Sequence, residues 1–141
     1  MPTPRQITVV QESFAAVAPI AADAADLFYQ RLFTLDPSLR PLFPDDLEEQ
    51  KRKLMQMLGL AVKGLNQPER LVPVLEDLGR RHGTYGVKDE HYDVVGEALL
   101  GTLAKGLGEA FTPEVEEAWL EVYGLIASTM KDAANQPTPV G

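Results

Sequence analysis

Two histidines, four tyrosines and no cysteine set the range of chemistry open to this chain of 141 residues. One histidine stands in an informative place. In Leu78-Gly-Arg-Arg-His-Gly-Thr-Tyr-Gly-Val87, His82 follows Leu78 by four residues, with Val74 and Leu75 a further turn back. Residues so spaced share a helix face, so His82 belongs on or beside the buried side of a helix near its C-terminus. A helix starting at Pro73 and ending before Gly83 and Gly86 would have proline in its first turn and glycine past its last. An imidazole there is either a core or boundary histidine with satisfied nitrogens, or a neutral ligand for a metal or haem iron. Two more polar side chains lie on apolar stripes: Tyr29 among Ala25, Phe28, Leu32 and Phe33, and Gln50 one turn before Leu54. Buried, each needs a hydrogen-bond partner; exposed at its tip, each is an ordinary boundary residue. His91, beside the helix start at Asp89, is expected to face solvent and carries no assigned chemistry.

The elements that must position these groups are all helical. Between residues 6 and 133 apolar side chains recur with the helical period, and no run of alternating β-branched residues stands out. A first helix over about 7–17 aligns Ile7, Val10, Phe14 and Val17 and is ended by Pro19. A second covers 21–35. Asp36-Pro37 caps a short turn that Pro41 interrupts, leading to Phe43 between two connector prolines. The third long helix, 45–65, carries Leu47, Gln50, Leu54, Met57, Leu58, Ala61 and Val62 on one face. Beyond the Asn66-Gln67-Pro68 turn comes the His82 helix, then one capped by Asp89 and closed by Gly108. Thr112-Pro113-Glu114 opens the last helix, which carries Trp119, Val122 and Tyr123. Residues 135–141 read as a frayed tail.

With 45% hydrophobic residues the chain suits one domain, 1–141, with a sizeable core. A net charge of −8 repels phosphate backbones, which excludes nucleic acid as an expected partner. The absence of cysteine excludes disulfides, zinc–thiolate and iron–sulfur sites, and a thiol nucleophile. No apolar run approaches the roughly 20 residues needed to cross a bilayer, and Met-Pro-Thr-Pro-Arg lacks a signal peptide's apolar core. No membrane association and a cytoplasmic location are therefore expected.

The order and spacing of several segments carry a more specific signal. Phe28-Tyr29, Asp36-Pro37, Leu42-Phe43, Arg52-Lys53-Leu54-Met55, Leu78-Gly79-Arg80-Arg81-His82, Tyr85-Gly86-Val87, His91-Tyr92, Val95-Gly96, Leu99-Leu100, Ala118-Trp119 and Tyr123-Gly124 resemble the single-domain bacterial globins. These are similar to neuroglobin and to the haem domain of flavohaemoglobins. The resemblance spans about residues 6–132 and implies a globin fold of six to eight helices around a pocket for haem b, iron protoporphyrin IX. It implies that His82 is the iron ligand and Phe43 the ring packed on the porphyrin. Tyr29 and Gln50 would be the polar groups across the ring, with Leu54 their apolar wall. Lys53 falls where a basic group can reach a propionate. Tyr92 matches one of two residues that support the proximal histidine in flavohaemoglobins; the other, a glutamate, falls at Ala134.

Such a site implies binding of dioxygen and of other diatomic gases, carbon monoxide and nitric oxide. The outer atom of bound dioxygen is partly anionic, and Tyr and Gln are both donors, each bond contributing about 1.5–3 kcal/mol. The expectation is a high-affinity oxygen binder for storage, transport or scavenging. Gln50 in place of a distal histidine implies no bis-histidine ferrous state and leaves Tyr29 and Lys53 as internal ligands for ferric iron. Alternatives are nitric oxide dioxygenase chemistry with an external reductase, the flavohaemoglobins' reductase half falling outside this sequence; a gas sensor acting through a partner; and a haem-free helical interaction module.

Overall fold

The computed structural model describes residues 2–84 and 86–135; Tyr85 and the tail from 136 lie outside the described residues. Six α-helices follow in order: α1 Pro4–Val17, α2 Ala21–Leu35, α3 Glu48–Gly64, α4 Pro68–Thr84, α5 Asp89–Leu107 and α6 Pro113–Asn135. Short 3-10 turns join them at Ala18–Ile20, Pro37–Leu42 and Gly108–Ala110, and no strand occurs among the described residues. The all-α reading therefore holds.

Helix ends differ from the sequence reading where capping chemistry intervenes. α1 starts earlier than residue 7 because Thr3 and Gln6 form a reciprocal cap, Gln6 N–H to Thr3 Oγ1 at 3.1 Å and Thr3 N–H to Gln6 Oε1 at 2.9 Å. Pro41 does not interrupt the connector; it lies inside the 3-10 turn opened by Asp36, whose carboxylate accepts from Ser38 N–H at 3.1 Å. α3 begins at Glu48 and not at residue 45.

The largest correction is in α4. It begins at Pro68, contains Pro73, and runs past Gly83 to Thr84. Proline at 73 removes one bond to the Glu69 carbonyl in the first turn, and both residues are exposed, so solvent can take the missing donor's place. α5 is capped at its N-terminus by His91 and not by Asp89: the half-buried imidazole Nδ1 accepts from Lys88 N–H at 3.0 Å. His91 thus has a structural role that the sequence reading did not give it. Asn135, placed in the tail on composition, ends α6 with Nδ2 donating to the Asp89 carboxylate at 3.1 and 3.2 Å.

The core gathers around Trp119, Leu32, Leu103, Val10 and Val122. Trp119 Nε1 donates to Ser13 Oγ at 2.8 Å, which donates on to Val10 O at 3.0 Å, so the buried polar groups joining α1 to α6 are satisfied. The stretch Pro4–Leu35 does meet the length and composition of a candidate membrane span, which corrects the reading that no apolar run comes near. Val9, Val10, Val17, Ala25, Phe28 and Leu32 within that stretch are core residues of this fold.

α4 packs most extensively on α6, at a crossing only glycine permits. A Cβ on Gly79 would sit 2.3 Å from the backbone oxygen of Met130. α3 and α4, neighbours in sequence, share few contacts. Phe43, Leu54, Leu58, Leu78, Val87 and Val95 pack on the core yet stay only partly covered.

Candidate functional site

His82 occupies the last turn of α4, half-buried, with Nδ1 2.8 Å from the carbonyl oxygen of Leu78. A helical side chain can reach the carbonyl four residues back, and here the acceptor can only be met by an N–H on Nδ1. An imidazole whose Nδ1 donates to a carbonyl presents Nε2 as its ligating nitrogen wherever it binds a metal. The residue that a supporting glutamate would occupy is an alanine methyl: the Ala134 Cβ lies 3.5 Å from where a Cβ on Gly83 would be, beside His82 in the chain.

Tyr29 sits on the inner face of α2, 6% exposed, within an aromatic cluster. Its ring meets Phe28 edge-on at 5.1 Å and Phe43 edge-on at 5.7 Å, with Phe33 at 5.9 Å. The hydroxyl donates to the backbone carbonyl of Gln50 at 3.4 Å, long for an O–H···O bond, so the donor is only weakly engaged. Burial pushes the phenol's pKa up to about 12, the Lys51 ammonium pulling weakly the other way. Tyr29 therefore stays a protonated donor at physiological pH. Gln50 is half-buried at the start of α3, and Leu54 follows on the same face. Behind Leu54 an apolar void of about 20 Å³ is lined by Phe14, Phe28, Leu58 and Leu103.

The structure thus brings Tyr29, Gln50 and Phe43 together and sets Leu54 beside them. Lys53 is exposed on α3. Tyr92 is buried on α5, and among the described residues its hydroxyl lacks a hydrogen-bond partner. Burial raises its pKa, and the Asp89 carboxylate adds to this.

Two contributors escaped sequence reasoning. Arg40 donates from its guanidinium to the carbonyls of Phe43 at 3.3 Å, Pro44 at 2.9 Å and Asp45 at 3.0 Å, and lies 5.3 Å over the Phe33 ring. It holds the segment that presents Phe43; the only signal in the sequence is an arginine three residues before a phenylalanine in a proline-bounded turn. Lys51, not Lys53, joins α3 to α2, through Asp26 at 2.8 Å. No sequence pattern marks that pair.

These features define a class: an all-helical protein with a half-buried histidine in the last turn of one helix and a buried, protonated phenol in an aromatic cluster on another. The globin family model matches residues 26–130. The chain is 33% identical over 122 residues to a flavohemoprotein of Rhizobium meliloti, covering 82% of this chain and 30% of that protein. It is 35% identical over 106 residues to a flavohemoprotein of Chromobacterium violaceum, covering 73% and 26%. It spans less than a third of the length of both. Among solved structures it resembles a bacterial globin from Campylobacter jejuni, 25% identical with a TM-score of 0.82, covering 94% and 96% of the two chains. The chain belongs to the globin family, and haem is its cofactor.

The residues present fit that group. Phe43, Leu54, Leu58 and Val95 are apolar and only partly covered, as packing against a flat apolar cofactor demands. His82 supplies an imidazole whose Nδ1 is oriented by a backbone carbonyl, the arrangement of an iron-ligating histidine, and an orphaned buried hydroxyl at Tyr92 is what a site completed by a bound group or water leaves.

Proposed function

We propose that the chain reversibly binds dioxygen with high affinity at haem iron held by His82 alone. Haem, when bound, would supply an iron able to take a diatomic gas as a ligand. Phe43 would pack against the porphyrin, Leu54 would form the dry wall, and Lys53, on the exposed side of α3, would pair with a propionate. Tyr92 completes the histidine side. Tyr29 and Gln50 serve as hydrogen-bond donors to the ligand.

One observation carries this reading: a buried phenol, kept protonated, whose hydroxyl is only weakly bound at 3.4 Å and so can turn to a ligand. A donor already committed to a strong protein bond would gain little by turning.

The test compares ferric, ferrous and carbonmonoxy absorption spectra and the oxygen equilibrium of the protein with those of His82→Ala. A five-coordinate ferrous spectrum, submicromolar oxygen affinity, and loss of both in the variant are expected. A variant that holds haem and oxygen as the parent does refutes the assignment.

The likeness to flavohemoproteins favours a second reading, conversion of nitric oxide and dioxygen to nitrate with electrons from an external reductase. It uses the same residues. Sustained nitric oxide consumption with a reductase supports it, and a single turnover without recovery removes it.

A further inference from the structure

The two donors proposed to face the ligand lie on different helices, Tyr29 on α2 and Gln50 on α3. Something must hold those helices in register at the mouth of the site, because the N-cap residue of α3, Leu47, offers no side-chain bond, and the cap from Asp46 Oδ1, accepting from Glu48 N–H at 3.0 Å, is local to the start of α3 and does not reach α2. Tyr29 itself supplies little, since its bond to the Gln50 carbonyl is long. The residue after Gln50 does more. Lys51 Nζ lies 2.8 Å from Asp26 Oδ1 on α2 and 3.4 Å from Glu48 Oε1 one turn back on α3. The lysine side chain is only 23% exposed, lying along the α2–α3 junction, whereas the partner carboxylates are half or more exposed. Asp26 is one turn before Tyr29, so the bridge spans from the turn that carries the phenol to the residue next to the carboxamide. The remaining ion pairs among the described residues are at α1–α6, within α3 and within α4.

We propose that the Lys51–Asp26 ion pair is a tether that sets the spacing of Tyr29 and Gln50, making Lys51 and Asp26 positioning residues for ligand retention. The proposal rests on the distal roles given to Tyr29 and Gln50 above. A part-exposed pair contributes modestly and weakens with salt. Its loss lets the first turn of α3 open more often, and ligand release speeds up. The Lys51 charge also reaches the phenol, consistent with its location at the site's edge.

Oxygen dissociation of the ferrous haem-loaded protein is measured by stopped flow in low and high salt for the parent, Lys51→Met, Asp26→Asn, the double variant and Tyr29→Phe. Hydrogen exchange of residues 48–54 is followed on the same proteins without oxygen. Each single tether variant is expected to release oxygen about two- to fivefold faster. The double variant should be no faster than the singles, and added salt should speed only the parent. Exchange of 48–54 should rise in all three tether variants. Additive effects of the two singles, or unchanged release in both, overturn the tether. If Tyr29→Phe alters release while the tether variants do not, the tether fails and the distal reading stands. If Tyr29→Phe changes nothing, the distal reading fails, and the tether's role in ligand retention fails with it.

Discussion

Replacing Tyr29 by Phe separates the phenol's chemistry from its packing. The ring is 6% exposed and touches Phe28, Phe33 and Phe43, contacts that phenylalanine keeps. The hydroxyl's protein partner is the Gln50 carbonyl at 3.4 Å, beyond the range of a strong O–H···O bond, so its removal costs folding stability under about 1 kcal/mol. A bond from that hydroxyl to a partly anionic ligand is worth about 1.5–3 kcal/mol. At 1.4 kcal/mol per factor of ten, the variant should release oxygen about 10- to 100-fold faster than the parent. Carbon monoxide release, from a less polar ligand, should change far less. Stopped-flow displacement of oxygen by carbon monoxide reads the first quantity, and urea unfolding checks that stability is retained. An oxygen off-rate within twofold of the parent, in a variant of equal stability, would refute the donor role of Tyr29.

Gly79→Ala should destabilise the protein by at least about 1–3 kcal/mol, because the new methyl meets the Met130 backbone at 2.3 Å and backbone cannot yield as a side chain would; a parent-like melting temperature contradicts this. Arg40→Met should speed haem transfer to an apoglobin acceptor about tenfold, since three carbonyls around Phe43 lose their donor. Arg40→Lys should restore only part, lacking the planar fork. Alkaline stability carries a sign fixed by burial. With Tyr29 raised to about 12, the folded state keeps a proton that the unfolded chain sheds from about pH 10, so this contribution is complete below pH 10 and declines by about 2–3 kcal/mol towards pH 12. Tyr123 and Tyr92, also raised mainly by burial, act in the same direction. Denaturant midpoints between pH 8 and 12 should show a shallower decline in Tyr29→Phe.

Much of this molecule is written locally. The helical period of the apolar residues, the capping pair Thr112-Pro113 and the glycine at 108, which adopts φ 55°, are properties of neighbouring residues and could be read without a fold. His82 belongs to the same category, because the carbonyl that faces its Nδ1 is four residues back on its own helix. Tyr29 and Gln50 could be singled out as polar groups on apolar stripes and Phe43 as a ring between two connector prolines, and their order along the chain was part of the family resemblance. Local reasoning failed where two local rules competed, as at Pro73, whose preference for a first turn yielded to an earlier start at Pro68.

What only the tertiary structure decided is which groups meet. That Gly79 lies under Met130, that Arg40 gathers the carbonyls around Phe43, and that Lys51 and not Lys53 bridges to Asp26 depend on how helices far apart in sequence cross. The same holds for the phenol at residue 29, whose raised pKa comes from burial by three other aromatic rings. Periodicity specifies the face a side chain presents. Its partner is set by crossing angles and axial offsets, which emerge only when all six helices pack at once.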